Sequence, residues 1–185
     1  EKGTVLVELD LKSAEPSLLY NLVYNKNVND VYSIFNIPGD RKNIKLAVIS
    51  SIYGATNSTI KKMTGIESKY VDKIKEKLNV ANIENNLRHS YEENGYIQNI
   101  YGRHIYGNVN LVNYWLQSST ADYALSCFCL LKEQYDINIK AVVHDALIFS
   151  CSESVFLDIK KLENLIDPIT NISMKIEKKL ISSNI

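Results

Sequence analysis

Two aspartates stand where a carboxylate can be both ordered and accessible. Asp10 follows the apolar run Val5 to Leu9 (VLVEL), and Asp145 lies just beyond the run Ile139 to Val143, after His144. A carboxylate at a strand end is held by the sheet yet open to solvent at the sheet's margin. Two of them on neighbouring strands supply the hard oxygen ligands that Mg²⁺ requires. A pair of such ions activates a hydroxyl for attack and stabilises a leaving pyrophosphate. Taken singly, each aspartate reads more readily as a turn or helix-cap residue, so the chemistry rests on what lies between them.

Between them runs the segment Arg41 to Gly54 (RKNIKLAVISSIYG), whose spacing predicts one helix. Ile44, Ala47, Val48, Ser51 and Ile52 fall on one side, and Arg41, Lys45, Ile49 and Tyr53, four apart, form a stripe on another. The cations occupy the first turns, where the helix dipole also favours anions. An aromatic ring follows two turns later. That layout suits a triphosphate held by Arg41 and Lys45 with a base beside Tyr53; the competing reading is a solvated basic face.

The elements that must position these residues can be read from periodicity. Val5 to Leu9 is a strand. Glu15 to Tyr24 has helical spacing, with Ser13 as N-cap and Pro16 in the first turn. Asp30 to Phe35 is a short helix or turn, and Ile37-Pro38-Gly39-Asp40 is a break. Asn57 to Thr64 is a helix stopped by Gly65, and the charged, amphipathic stretch Ser68 to Asn94 reads as two more. Gly95 leads into YIQNIYGRHIYGNV, where alternation and glycines predict a β-hairpin. Leu111 to Tyr135 is the longest helix, with Leu116, Ala121, Ala124, Leu125, Phe128 and Leu131 as its apolar side. Ile139 to Val143 and Leu147 to Ser150 are strands flanking a tight turn at His144-Asp145-Ala146. Val155 to Leu165 reads as helical and Ile172 to Ile176 as a last strand.

Composition sets the class. Hydrophobic content of 45% and charged content of 23% are those of a globular protein. No apolar run approaches the ~18 residues of a membrane span, and the acidic opening EKGTVLVELD reads as a strand, not a signal peptide. No membrane partner and an intracellular location, of open compartment, are therefore expected. The chain enters a strand at once without an initiating Met, so it is expected to be part of a longer protein. Twenty-one basic residues balance 21 acidic ones. Nucleic-acid binders usually carry a basic surplus, but local basic patches coexist with a neutral total. Cys127, Cys129 and Cys151 lack metal-type spacing and sit in apolar surroundings, which predicts buried, reduced thiols.

In this order the segments resemble the motifs of family A DNA polymerases, the bacterial polymerase I type. LDLKSAE (Leu9 to Glu15) resembles the first motif, RKNIKLAVISSIYG the second and VVHDA (Val142 to Ala146) the third. GYIQNIYGR (Gly95 to Arg103) and NYWLQSSTAD (Asn113 to Asp122) resemble the segments between the second and third. The resemblance spans nearly the whole chain. It implies an α+β fold in which an antiparallel palm sheet with flanking helices (1–30 and 95–185) carries both aspartates, beside a helical fingers subdomain (31–94). It also implies the activity, transfer of a nucleotidyl group from a dNTP to a primer 3′-OH on a DNA primer-template, with two Mg²⁺ ions.

The roles follow position by position. Asp10, Asp145 and the carbonyl of Leu11 would hold metal. Arg41 and Lys45 would bind the triphosphate, with Lys45 as general acid toward pyrophosphate. Ile49 and Tyr53 would border the nucleotide, and Glu15, in contact with Tyr53, would exclude a ribose 2′-OH. His144, Asn113, Gln117 and Arg103 would touch primer or template. Four positions depart from the family pattern: Ala146 stands where Glu is usual, Ile49 where an aromatic is usual, and Ser17 and Val109 where basic residues are. They bear on primer handling, sugar choice and fidelity and leave the aspartate pair intact. Family members carry a thumb, and often an exonuclease-type domain, N-terminal to this region, which a longer chain or a separate subunit would supply. Two other readings remain. A single-subunit RNA polymerase shares the plan but has a small residue at the place of Glu15. A replication accessory domain that binds nucleic acid with impaired catalysis fits the neutral charge but gives no reason to keep Asp10, Arg41, Lys45, Tyr53 and Asp145 together.

Overall fold

The computed structural model describes residues 3–107 and 109–184. The protein is of mixed α/β class, an antiparallel sheet with flanking helices. The chain divides into two compact units, one of residues 1–14 and 120–185, the other of residues 15–119.

The first unit is built on a five-stranded sheet in the order β4-β5-β1-β7-β6, with every pairing antiparallel. The strands are β1 (Thr4–Leu11), β4 (Asn138–Val143), β5 (Ala146–Ser152), β6 (Asn164–Ile166) and β7 (Ser173–Asn184). Strict alternation makes β1 central. Val5, Val7, Leu9 and Leu11 are buried, while Thr4, Leu6, Glu8 and Asp10 take the other face. Across the β1–β5 pair Val7 meets Phe149 and Leu9 meets Leu147, all buried, so one face of the sheet is core. Helix α7 (Glu153–Lys161), capped by the Ser152 hydroxyl on the Val155 N–H, packs against β5 and β1. Lys178, reaching in from β7, donates its ammonium to the carbonyls of Lys160 and Leu162 at the helix's C-terminal end. The buried Tyr123 hydroxyl donates to the carbonyls of Leu165 and Ile172 at 2.8 and 3.2 Å and ties its helix to the β6–β7 connection.

The second unit is mainly helical. It holds most of α1 (Ala14–Tyr24), a 3₁₀ turn at Ser33–Phe35, α2 (Arg41–Ile52), α3 (Asn57–Thr64), α4 (Ser68–Lys77) and α5 (Val80–Asn94), then a two-stranded hairpin of β2 (Ile97–Gln98) and β3 (His104–Ile105). Helix α6 (Leu111–Gln134) begins here, and its later turns belong to the first unit. Ala47, Val48, Ser51 and Ile52 of α2 are buried, as are Ile60 of α3 and Val71 and Ile74 of α4. These three helices pack on one another through those positions. Asn79, left-handed at φ 53°, separates α4 from α5, and Gly95, at φ 75°, ends α5.

Several expectations need correction. Ser13 does not take the extended conformation of a helix cap but sits at φ 52°. Helix α7 ends at Lys161, and Asn164–Ile166 is an edge strand paired with β7. The last strand runs to Asn184, well past Ile176. Ala146 is not in the turn but opens β5, paired with both Val143 and Asp10. Leu125 is exposed, and the buried side of α6 there is formed by Tyr123, Ala124, Cys127 and Phe128. Cys127 and Cys151 are free and buried as expected, but Cys129 is exposed. Among the described residues no helix is long and apolar enough to cross a membrane.

Candidate active site

In the first unit the geometry is set by strand register. β4 and β5 are joined by the two-residue turn His144-Asp145, with Val143 paired to Ala146. His144 takes φ 57°, which lets so short a turn match the strand twist. Asp10 of β1 stands opposite Ala146, and the Leu11 N–H donates to the Asp145 carbonyl at 3.2 Å. Asp10 and Asp145 are thus side by side at the same end of two hydrogen-bonded strands. Both are half-buried, and His144 beside them is exposed.

Glu177 of β7 stands opposite Asp10 on the other side, ion-paired to Lys12 at 3.4 Å. Asp10, Glu8, Glu177, Lys178 and Lys179 line an open depression of about 420 Å³. The alternation of β1 made Asp10 legible, but the register that brings Glu177 to it is visible only in the fold. Among the described residues no three His, Cys, Asp or Glu side chains converge as a closed metal cage. The donor set of two carboxylates nonetheless fits a hard cation of the Mg²⁺ kind, which keeps several waters and is bound through one or two carboxylates together with substrate phosphates.

The second unit holds the cationic stripe. Asp40, the last residue of the Ile37–Asp40 break, is the N-cap of α2, its carboxylate accepting from the Asn43 N–H at 2.9 Å. Arg41, Lys45 and Ile49 follow one above another, with both cations exposed and Ile49 half-buried. Arg41 is not idle: its guanidinium donates to both carboxylate oxygens of Asp30, at 2.5 and 3.1 Å. Asp30 is eleven residues away across a loop, a separation with no periodic signature.

Tyr53 is the C-cap of α2, and its hydroxyl donates to the Glu15 carboxylate. Burial pushes the Tyr53 phenol well above its ordinary value and the Glu15 carboxylate adds to the shift, while a hydrogen bond with Gln117 opposes it. Glu15, Tyr53 and Gln117, from α1, α2 and α6, therefore form one cluster. Beside it a cavity of about 330 Å³ is lined by Ile52, Tyr53, Gly54 and Asn113 together with Arg88 and Glu84. The buried Oδ1 of Asn113 has no hydrogen-bond partner among the described residues. Arg103 lies at the hairpin and donates to the Ser118 carbonyl at 3.1 Å.

No protein-family model matches this sequence, and no curated protein matches it. Solved structures do. The chain is similar in fold to the POL domain of Pol1 from M. smegmatis, solved in complex with DNA primer-template and dNTP. The TM-score is 0.66 at 16% identity, over 97% of this chain and 40% of that one. The fold is thus polymerase-like, and the chain spans well under half the length of the protein it resembles.

Proposed function

We propose that this chain is the catalytic palm and fingers of a template-directed DNA polymerase of the family A type, part of a larger protein or assembly. It would transfer a nucleotidyl group from a dNTP to a primer 3′-OH. In this reading residues 1–30 and 95–185 serve as palm and 31–94 as fingers. The observation that supports it is the pairing of Asp10 with Ala146, which brings Asp10 to the same sheet end as the neighbouring residue Asp145, in a polymerase-like fold.

Asp10, Asp145 and the Leu11 carbonyl would hold two Mg²⁺ ions, which when bound supply positive charge against the reacting phosphate and acidify the attacking hydroxyl. Arg41 and Lys45 would bind the triphosphate by charge-assisted hydrogen bonds. Lys45 would pass a proton to the pyrophosphate oxygen as its bond to the α-phosphorus breaks. Tyr53 and Ile49 would border the incoming base and sugar, and Asn113 and Gln117 the template or primer beside them. His144 and Arg103 would contact the nucleic-acid backbone. The Glu15–Tyr53 hydrogen bond supports the DNA polymerase reading over the RNA polymerase one, because a carboxylate held beside the nucleotide sugar would crowd a ribose 2′-OH.

Extension of a labelled primer on a DNA template, with and without Mg²⁺ and with deoxy- or ribonucleotides, tests the proposal. Mg²⁺-dependent, template-matched addition of deoxynucleotides supports it. Binding of primer-template without any addition would favour the accessory-domain reading.

A further inference from the structure

Asp10 has two cross-strand neighbours, and they differ in kind. On one side stands Ala146, which offers no side-chain ligand atom; on the other stands Glu177 of β7. Residues directly opposite on antiparallel strands point to the same face, with Cβ atoms about 4.5–5.5 Å apart. The burial pattern agrees. Met174 and Ile176 of β7 go into the core with Leu9 and Leu11, while Asp10 is half-buried and Glu177 exposed on the opposite face. Both carboxylates line the open depression of about 420 Å³.

Glu177 already holds a cation. Its carboxylate lies 3.4 Å from the Lys12 ammonium, through side chains 62% and 42% exposed. An ion pair so open to water contributes little to stability, and a competing cation displaces it at small cost. Lys12, two residues beyond Asp10, is thus an exchangeable positive charge at the aspartate end of the sheet. Glu8, one step back along the same face of β1, is turned instead to Lys179 at 3.9 Å.

We infer that Glu177 is a positioning residue for the cation at Asp10: its carboxylate accepts hydrogen bonds from the waters that cation carries, and Lys12 holds the carboxylate until the cation arrives. This rests on the proposed reading of Asp10 as a metal ligand. A hard cation of the Mg²⁺ kind keeps several waters and takes only one or two carboxylates directly. Its waters need acceptors, and partners that hold an ion through its ligands are worth about 10- to 100-fold in metal affinity. Asp145 comes to Asp10 from the turn on one side, and Glu177 faces it from the strand on the other. When the cation binds, the Lys12 ammonium is released to solvent and its charge is replaced.

The test is a Mn²⁺ titration of the chain without DNA or nucleotide, followed by water-proton relaxation, which reads bound Mn²⁺ and its waters and not catalysis. Glu177→Ala should weaken binding about 10- to 100-fold. Lys12→Met should tighten it by up to about fivefold, the worth of an exposed ion pair converted to affinity. Glu8→Ala removes the same charge from the same face and should bind within about twofold of wild type at physiological ionic strength. Asp10→Asn should lose the site. Loss in Asp10→Asn with unchanged binding in Glu177→Ala, or no tightening in Lys12→Met, would overturn this inference and leave the metal reading standing. Equal loss in Glu8→Ala and Glu177→Ala would overturn it too, since summed charge would then suffice. A wild type with no saturable Mn²⁺ site, or an Asp10→Asn variant that binds as wild type does, would sink the metal reading and this inference with it.

Discussion

The Arg41 guanidinium grips the Asp30 carboxylate through two nitrogens, at 2.5 and 3.1 Å, and lies 5.5 Å from the centre of the Tyr32 ring. The cation proposed to meet the triphosphate is thus already paired within its own unit. Its side chain is 68% exposed, so the pair contributes only ~0.2–1 kcal/mol. A charge-assisted bond to phosphate is stronger, and the nucleotide should displace Asp30. Asp30→Asn should therefore lower the nucleotide KM by up to about fivefold with kcat unchanged. A higher KM in steady-state extension would mean that Asp30 positions Arg41 and does not compete for it.

The same pair has a pH signature. The hydrogen bond from Arg41 holds the Asp30 carboxyl below its ordinary value of 3.8. A carboxyl depressed in the folded state adds stability above its unfolded pKa and loses it as pH falls through the folded one. Wild type should melt higher than Asp30→Asn near neutral pH, and the gap should close below about pH 4. A gap of constant size throughout acid titration would contradict an ion pair.

Sugar choice should follow the Glu15–Tyr53 contact. Removing the carboxylate with Glu15→Ala opens space and frees the Tyr53 hydroxyl. Ribonucleotide use relative to deoxynucleotide should rise by about 10- to 200-fold, the range for a change of one small group in a pocket. Ile49 has no hydroxyl to stand in for a missing 3′-OH, so wild type should reject dideoxynucleotides and Ile49→Tyr should accept them better. Competitive incorporation reads both. Equal ribo- and deoxynucleotide use by wild type would remove Glu15 as a gate.

Tyr123 tests the fold apart from the chemistry. Its hydroxyl serves the carbonyls of Leu165 and Ile172 from a fully buried position. Tyr123→Phe keeps the ring and removes the hydroxyl donor to the Leu165 carbonyl, while the Ile172 carbonyl keeps its bond from the Asp167 N–H at 2.9 Å, at a cost of ~1–3 kcal/mol. Urea denaturation measures it. No loss of stability would mean that the Leu165 carbonyl finds another donor.

The sequence made the aspartates legible because β1 alternates cleanly and both carboxylates close apolar runs. It made the α2 stripe legible because four-residue spacing keeps Arg41, Lys45, Ile49 and Tyr53 on one line. It did not show β6, since Leu162 to Ile166 continues the apolar spacing of α7, nor the length of β7, whose lysines resemble a solvated tail. Helix α6 is apolar on too many sides for its spacing to declare a face, so the periodicity points Leu125 inward where Tyr123 is the buried residue. Cys127 and Cys129 could never share an environment, being two residues and some 200° apart on a helix. Asp30 and Glu177 were invisible because loop closure and strand register, not spacing, bring them to Arg41 and Asp10.

The central claim is that Asp10 and Asp145 act as a pair at the sheet end. Single-turnover extension of a primer by wild type, Asp10→Asn and Asp145→Asn, with Mg²⁺ and saturating dNTP, tests it most directly. Both side chains are half-buried beside a turn, so far-UV circular dichroism should be unchanged. If each aspartate holds metal as proposed, its loss removes several kcal/mol of charge stabilisation, and each variant should be slower by ~10³-fold or more. A correctly folded Asp10→Asn or Asp145→Asn that extends the primer within about tenfold of wild type would contradict the account.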